Sequence, residues 1–300
     1  MSSFKQLAII GPTASGKSAL AIDIAKRHDG VIFSIDSLAV YKKMDIVSAK
    51  PSLSEQEGIK HFGIDILDVT QEFSAQKVTL LYEEAKAYAL QHQKNLIVVG
   101  GSSFYLKSLL TGLSVLPEFS KKTIAKTEQT LKDLPSAHAY LKKLDPLSVE
   151  NISENDPYRL EKLFLIHYET GMSPSEYFKA HPPLETIQDL SIFEILVSRD
   201  VLRERVKKRT NIMIKSGLID EIADLEFVYG RSWRPMKAIG VIETLQYLDN
   251  KCDLSELEDL ITTHTMQLAK RQSTFNRTQF QNVVRLELDQ LPDEIDNVFT

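Results

Sequence analysis

Residues 11–18 read Gly11-Pro12-Thr13-Ala14-Ser15-Gly16-Lys17-Ser18. This is the pattern G-x-x-x-x-G-K-[ST], and each residue type in it has a use if the ligand is a polyphosphate. Glycines at both ends let backbone N–H groups turn inward and approach phosphate oxygens. Lys17 adds a point charge, and the Ser18 hydroxyl suits Mg2+. Asp36 closes the apolar run at 31–35. A carboxylate there can accept a proton, orient a nucleophile or bind a metal, or it can simply cap the turn that follows. Gly100-Gly101-Ser102-Ser103 ends another apolar run. Its glycines admit a ligand or backbone closely, and its serines can donate hydrogen bonds or cap a helix. Arg199, Arg203, Arg205 and Arg209 lie on a predicted helix. Arg205 and Arg209 stand four apart and share a face, where two guanidinium forks suit a diphosphate or an RNA backbone. The seven histidines show no metal-ligand spacing, and no nucleophile–base pair supports covalent catalysis.

These residues need elements to hold them. Apolar runs at 7–10, 31–35, 96–99 and 192–197, flanked by helix-like sequence, predict buried parallel strands. Strands alternating with helices predict an α/β fold, a doubly wound sheet that binds ligands at the carboxyl ends of its strands. The phosphate loop, Asp36-Ser37, the Gly-Gly-Ser-Ser segment and Arg199 all fall at such ends. Between the third and fourth runs the pattern changes to helices at 121–134, 137–144 and 158–169, punctuated by prolines. We therefore expect a P-loop-type core built from 1–112 and 191–300, with an all-helical insertion at 113–190. Beyond 197 the chain reads as mostly helical.

Composition narrows the class. Hydrophobic content of 43% and charged content of 26% over 300 residues suit a globular chain with ample core. No apolar run approaches the length of a membrane span, and the N-terminal residues do not read as a signal peptide. The single cysteine, Cys252, allows no internal disulfide, and a cytoplasmic location is expected. A net charge of −5 excludes a global basic field, so any nucleic acid must be attracted by local patches. Basic stretches at 199–209 and 270–277 could serve, although a lone charge run is more often a solvated helix face. An ordinary P-loop ATPase would place an aspartate after a second strand to hold Mg2+; here Gly100-Gly101 stands instead, which weakens that reading.

Together these motifs resemble the tRNA dimethylallyltransferase family over nearly the whole chain. GPTASGKS is similar to the family's phosphate loop. Asp36-Ser37-Leu38-Ala39-Val40-Tyr41 resembles D-S-x-Q-x-Y, and Ala49-Lys50-Pro51 the end of G-T-A-K-P. Gly100-Gly101-Ser102-Ser103-Phe104-Tyr105-Leu106 resembles G-G-T-G-L-Y. Leu144-Asp145-Pro146 and Asn155-Asp156-Pro157-Tyr158-Arg159 resemble L-D-P and N-D-x-Q-R. Ala238-Ile239-Gly240 and Gln267-Leu268-Ala269-Lys270-Arg271-Gln272 match later signatures. Departures fall mainly on the RNA side. Ala39 replaces Gln, Ser102 replaces Thr while keeping the hydroxyl, Val47-Ser48 replaces Gly-Thr, Tyr158 replaces Gln, Val241 replaces Tyr and Phe275 replaces Trp.

The resemblance implies that residues 11–18 hold the diphosphate of dimethylallyl diphosphate, with Mg2+ on Ser18. Diphosphate is then the leaving group, and no water needs activating. Lys17 and Arg209 would stabilise its growing charge. Asp36 would accept a proton from, or orient, the N6 amine of an adenine, and Ser102 would help place the flipped nucleotide. Ser37, Leu38, Ala39, Arg159, Lys270 and Arg271 would contact tRNA, the insertion gripping the anticodon stem-loop by shape and phosphates. A monomer is expected. The rival readings are a P-loop kinase of a small metabolite, with the arginines as its lid, and a nucleotide-gated RNA-binding switch without turnover.

Overall fold

The computed structural model describes residues 4–183 and 185–299. Six strands form one sheet: β1 (Gln6–Ile10), β2 (Gly30–Ser34), β3 (His61–Phe62), β4 (Asn95–Gly100), β5 (Ser191–Leu196) and β6 (Val283–Glu287). Their order is β3-β2-β4-β1-β5-β6, and every pairing is parallel. Helices α1 (Lys17–Arg27), α2 (Asp45–Ser48), α3 (Ala75–Gln91) and α4 (Ser103–Thr111) connect the early strands. Five more occupy the insertion: α5 (Lys121–Thr130), α6 (Leu134–Leu144), α7 (Pro146–Val149), α8 (Pro157–Thr170) and α9 (Pro174–Ala180). The C-terminal part supplies α10 (Arg199–Lys215), α11 (Leu218–Tyr229), α12 (Val241–Leu248), α13 (Leu254–Gln279) and α14 (Leu291–Phe299).

The predicted strands form, because continuous runs such as Leu7-Ala8-Ile9-Ile10 are covered on both faces. Leu7, Ile9, Ile32 and Ile97 pack with Leu20, Ile24 and Leu291 on one side. Ala8, Ile10, Phe33 and Val98 pack with Val78, Leu81 and Tyr82 on the other. This is the two-residue periodicity of a strand expressed as two cores. Two strands lay outside the sequence reading. β3 is only two residues long, and β6 carries Arg285 and Glu287 among its apolar residues at the sheet edge, so the expectation of helix alone beyond 197 is corrected there.

Register sets the site. Ile10 lies beside Gly100 and Glu194, and Ser34 beside Val99. The segments leaving β1, β2, β4 and β5 therefore emerge at one edge.

The chain divides into two compact units, Met1–Leu110 with Ile187–Thr300, and Thr111–Thr186. The second is all helical, as its prolines foretell: Asp133, Asp145, Asp156 and Ser173 each cap a helix whose first turn contains proline. Its boundaries differ from 113–190. Ile187 is buried in the core of the larger unit and donates its N–H to the Leu109 carbonyl, so the chain has returned there before β5 begins.

Candidate active site

The phosphate loop keeps an open, strained backbone. Gly16 has φ 101° and precedes α1, a conformation that side chains other than glycine rarely adopt. Lys17 begins α1, and its buried ammonium donates to the Pro12 carbonyl at 2.6 Å. Burial lowers its pKa from 10.5 to about 8; the Asp36 carboxylate opposes that fall and the Arg209 guanidinium adds to it. Two arginines of α10 close over the loop. Arg205 Nη1 donates to the Ser15 carbonyl at 3.1 Å, and Arg209 Nη1 to Thr13 Oγ1 at 3.1 Å. Burial also lowers Arg209, against the pull of Asp36.

Two cavities meet at these residues. One, of about 480 Å3, is lined by Thr13, Ala14, Gly16, Lys17 and Ser18 of the loop, by Ala39, Lys50 and Pro51, and by Arg205, Lys208 and Ile212. The other, of about 340 Å3, is lined by Ser37, Leu38, Ser102, residues 237–240 and the α13 residues Ile261, Thr265 and Leu268. Thr13, Lys17, Asp36, Ser48, Gly101 and Arg209 line both. The chamber lined by the 11–18 loop and a second, less charged chamber thus share a wall that carries one carboxylate and two cations.

Asp36 has a structural duty as well. Its Oδ1 accepts the N–H groups of Leu38 at 2.8 Å and Ala39 at 3.2 Å, which is the turn-capping role that its sequence position allows. Ser102 Oγ accepts the N–H of Ser37 at 3.2 Å, which joins the β2 and β4 ends. Ser18 is exposed and its hydroxyl opens to the first chamber. Hard oxygen donors, Ser18 with a diphosphate and Asp36 nearby, fit Mg2+ chemistry. Among the described residues no group of three or more His, Cys, Asp or Glu forms a metal cage, and a magnesium held mainly by phosphate oxygens needs none.

Two residues outside the sequence assignment, Gln272 and Glu243, complete the site. Gln272 of α13 accepts the Thr13 N–H through Oε1 at 2.9 Å, pinning the phosphate loop to a helix 259 positions away. Gly101 makes room for it, since a Cβ there would lie 2.5 Å from Gln272 Nε2. Buried Glu243 holds the wall of the second chamber: it accepts the Gly240 N–H at 2.6 Å through Oε2 and meets His264 Nδ1 at 2.5 Å through Oε1. Gln272 stands in a signature stretch, which was the available signal; Glu243 offered none.

The remaining predicted contacts line neither chamber. Lys270 and Arg271 are exposed on α13, around a surface hollow shared with Phe275. In the helical unit, Arg159 is exposed and held locally, donating to the Asn151 carbonyl at 3.3 Å and pairing with Asp156 at 3.4 Å. Arg199, at the start of α10, is exposed.

A family model described as IPP transferase matches residues 39–279. The chain is 50% identical over 288 residues to tRNA dimethylallyltransferase of Sulfurovum sp., covering 96% of each chain. It is 51% identical over 290 residues to that of Sulfurimonas denitrificans, covering 97% of this chain and 98% of the relative. This chain belongs to the tRNA dimethylallyltransferase family. Solved structures agree with the fold. A tRNA isopentenylpyrophosphate transferase from Bacillus halodurans superposes with a TM-score of 0.71 at 28% identity, covering 98% of this chain and 94% of that one. A eukaryotic dimethylallyltransferase, described as acting on tRNA, superposes with a TM-score of 0.83 at 26% identity, covering 98% of this chain and 80% of that one. No described helix is long and apolar enough to cross a membrane.

Proposed function

We propose that this chain transfers a dimethylallyl group from dimethylallyl diphosphate to N6 of the adenine on the 3′ side of the anticodon in tRNA, releasing diphosphate. The observation that carries this reading is the wall shared by two chambers, where Lys17, Asp36 and Arg209 face both. One chamber supplies cations and backbone donors for a diphosphate. The other opens from the same residues and is large enough for a flipped base, whose extrusion costs a few kcal/mol.

In this reading the donor diphosphate lies on residues 11–18, and its allylic carbon reaches the shared wall. The adenine N6 lone pair forms a bond to that carbon as the carbon–oxygen bond breaks and its electron pair leaves with diphosphate. The N6 proton passes to Asp36, through the carboxylate oxygen not engaged with Leu38 and Ala39. Lys17, Arg205 and Arg209 hold the charge that develops on the leaving group. Ser102, already tied to Ser37, helps to place the nucleotide beside Leu38 and Ala39. Mg2+, when bound at Ser18, supplies further charge neutralisation on the diphosphate. Arg159 of the helical unit, with Lys270 and Arg271 of α13, contacts the phosphates of the anticodon stem-loop.

The test is transfer of a labelled prenyl group to unmodified tRNA, with ATP turnover measured in parallel. Label on the tRNA without ATP consumption is the expected result; ATP consumption without labelled RNA would establish a kinase instead. Asp36→Asn keeps an oxygen for the Leu38 and Ala39 N–H groups while removing the base. Its single-turnover rate is expected to fall by about 10²–10⁴-fold with donor affinity little changed. An unaltered rate would remove Asp36 from the proton transfer.

A further inference from the structure

We propose that Lys208 is a further donor-binding residue, which contacts the diphosphate of the prenyl donor and holds its charge as the carbon–oxygen bond breaks. The proposal rests on the donor site described above and adds to it a residue outside the family motifs, which the sequence shows only as part of the basic stretch at 199–209.

Its placement is set by the backbone of α10. Leu202 and Val206 are buried against Ala269 on one face of that helix. Arg205 and Arg209, three positions after each of these, form an adjoining face that is hydrogen-bonded to Ser15 and Thr13. Lys208 stands three positions after Arg205 and lies on the same face, so it lines the same chamber as Lys17 and Ser18. Helix geometry therefore delivers its stem to the mouth of the phosphate site.

The other cations of that chamber each have a partner within the protein as well. Lys17 donates to Pro12, and the two arginines to the phosphate loop. Lys50 is nearly buried and pairs with Asp45 and Asp65. Lys208 alone among these cations has no hydrogen bond or ion pair within the described residues. Glu204 sits one turn before it, at the spacing of a helical ion pair, yet the two are not joined. An exposed lysine is ordinarily a solvated charge. One that stays unpaired beside an available carboxylate, on the wall of an anion chamber, has the ligand as its complement. Lysine also suits this role, because a mobile point charge can follow an oxygen whose charge grows during cleavage, without the fixed geometry of a guanidinium fork.

The experiment compares wild type, Lys208→Gln and Lys207→Gln, all as full chains. Lys207 is exposed on the same helix and lines neither chamber, so its variant removes the same charge from the general field. Inorganic diphosphate and dimethylallyl diphosphate are each titrated calorimetrically, and transfer to tRNA is then measured. Lys208→Gln is expected to weaken both ligands roughly 10- to 100-fold, the size of a charge-assisted hydrogen bond. It should raise the donor KM while leaving the tRNA KM unchanged. Lys207→Gln should bind within about twofold of wild type, as surface charges are worth little, and Lys208→Arg should recover part of the loss. Equal binding by wild type and Lys208→Gln, or equal weakening by both glutamine variants, would overturn the role of Lys208. Failure of the wild type to bind either compound would instead overturn the donor site itself, and the proposal with it.

Discussion

Lys17 is buried as a cation, and its pKa of about 8 records the cost of that burial. A bound diphosphate reverses the pressure by giving the ammonium a partner. Affinity for dimethylallyl diphosphate is therefore expected to fall as pH rises through about 8, where Lys17 loses its proton. Calorimetric titration on either side of that value checks it; a flat profile would show that Lys17 contributes no charge to binding. Folding stability follows the opposite sign. The unfolded chain keeps this proton to about 10.5, so it binds more protons than the folded chain between about 8 and 10.5, and this group's contribution to stability rises with pH there. Asp36 uses its two oxygens differently: Oδ1 caps a turn, and the other oxygen takes no part in that cap. Ala39, where the family has Gln, is buried on the wall of the phosphate-side chamber. Its N–H completes the Asp36 turn, a contact that any residue but proline could supply there.

At the scale of elements, the site is a convergence of strand ends clamped by two C-terminal helices. α10 holds the phosphate loop through its arginines, and α13 holds it through Gln272. The Gly101–Gln272 contact makes this clamp testable. Gly101→Ala would place a methyl group 2.5 Å from Gln272 Nε2, and the flexible amide must then swing away, releasing the Thr13 N–H. Both Gly101→Ala and Gln272→Ala are expected to weaken donor binding about tenfold, in keeping with one lost hydrogen bond in a buried site. The double variant should be little worse than either single one, because both act through one contact. Additive losses would show two independent effects. The helical character of the insertion and of the chain beyond 197 was legible, although the helix predicted at 121–134 ends at Thr130, and so was the shared face of Arg205 and Arg209. The grip of α13 was not, because the sequence shows that Gln272 belongs to a signature but not which backbone group it meets.

Across the whole molecule, a buried polar network joins parts of the chain that are far apart in sequence. Glu194 of β5 accepts from Arg285 Nε of β6 at 2.8 Å and from Asn276 Nδ2 of α13 at 2.9 Å. Arg285 also donates to the Asn276 and Phe280 carbonyls. The edge strand, its neighbour and the end of the long helix are thereby fixed together, and α13 is the helix that carries Gln272. Arg285→Ala leaves the Glu194 carboxylate buried with one charged partner gone. The expected cost is about 3–5 kcal/mol in a denaturant titration, with Glu194→Leu/Arg285→Leu recovering much of it. A loss below about 1 kcal/mol would show that the carboxylate is relieved by solvent. β6 escaped the sequence reading for a related reason: Arg285 and Glu287 break its apolar run, and Arg285 is there to meet Glu194.

The sequence by itself determined what depends on neighbours along the chain. The strand–turn–helix around residues 11–18, the buried parallel strands, the helical character of the insertion and the family are all written in short-range patterns, because the two-residue strand period and the helix caps are local properties. Tertiary structure alone decided which charges share a chamber. Strand register brings Gly11, Asp36 and Gly101 to one edge. Helix packing then chooses Lys208 over Lys207, Gln272 over its neighbours in the signature, and Glu194 as the partner of Arg285. Such choices depend on the direction of side chains across contacts far apart in the chain, and no local pattern specifies that direction.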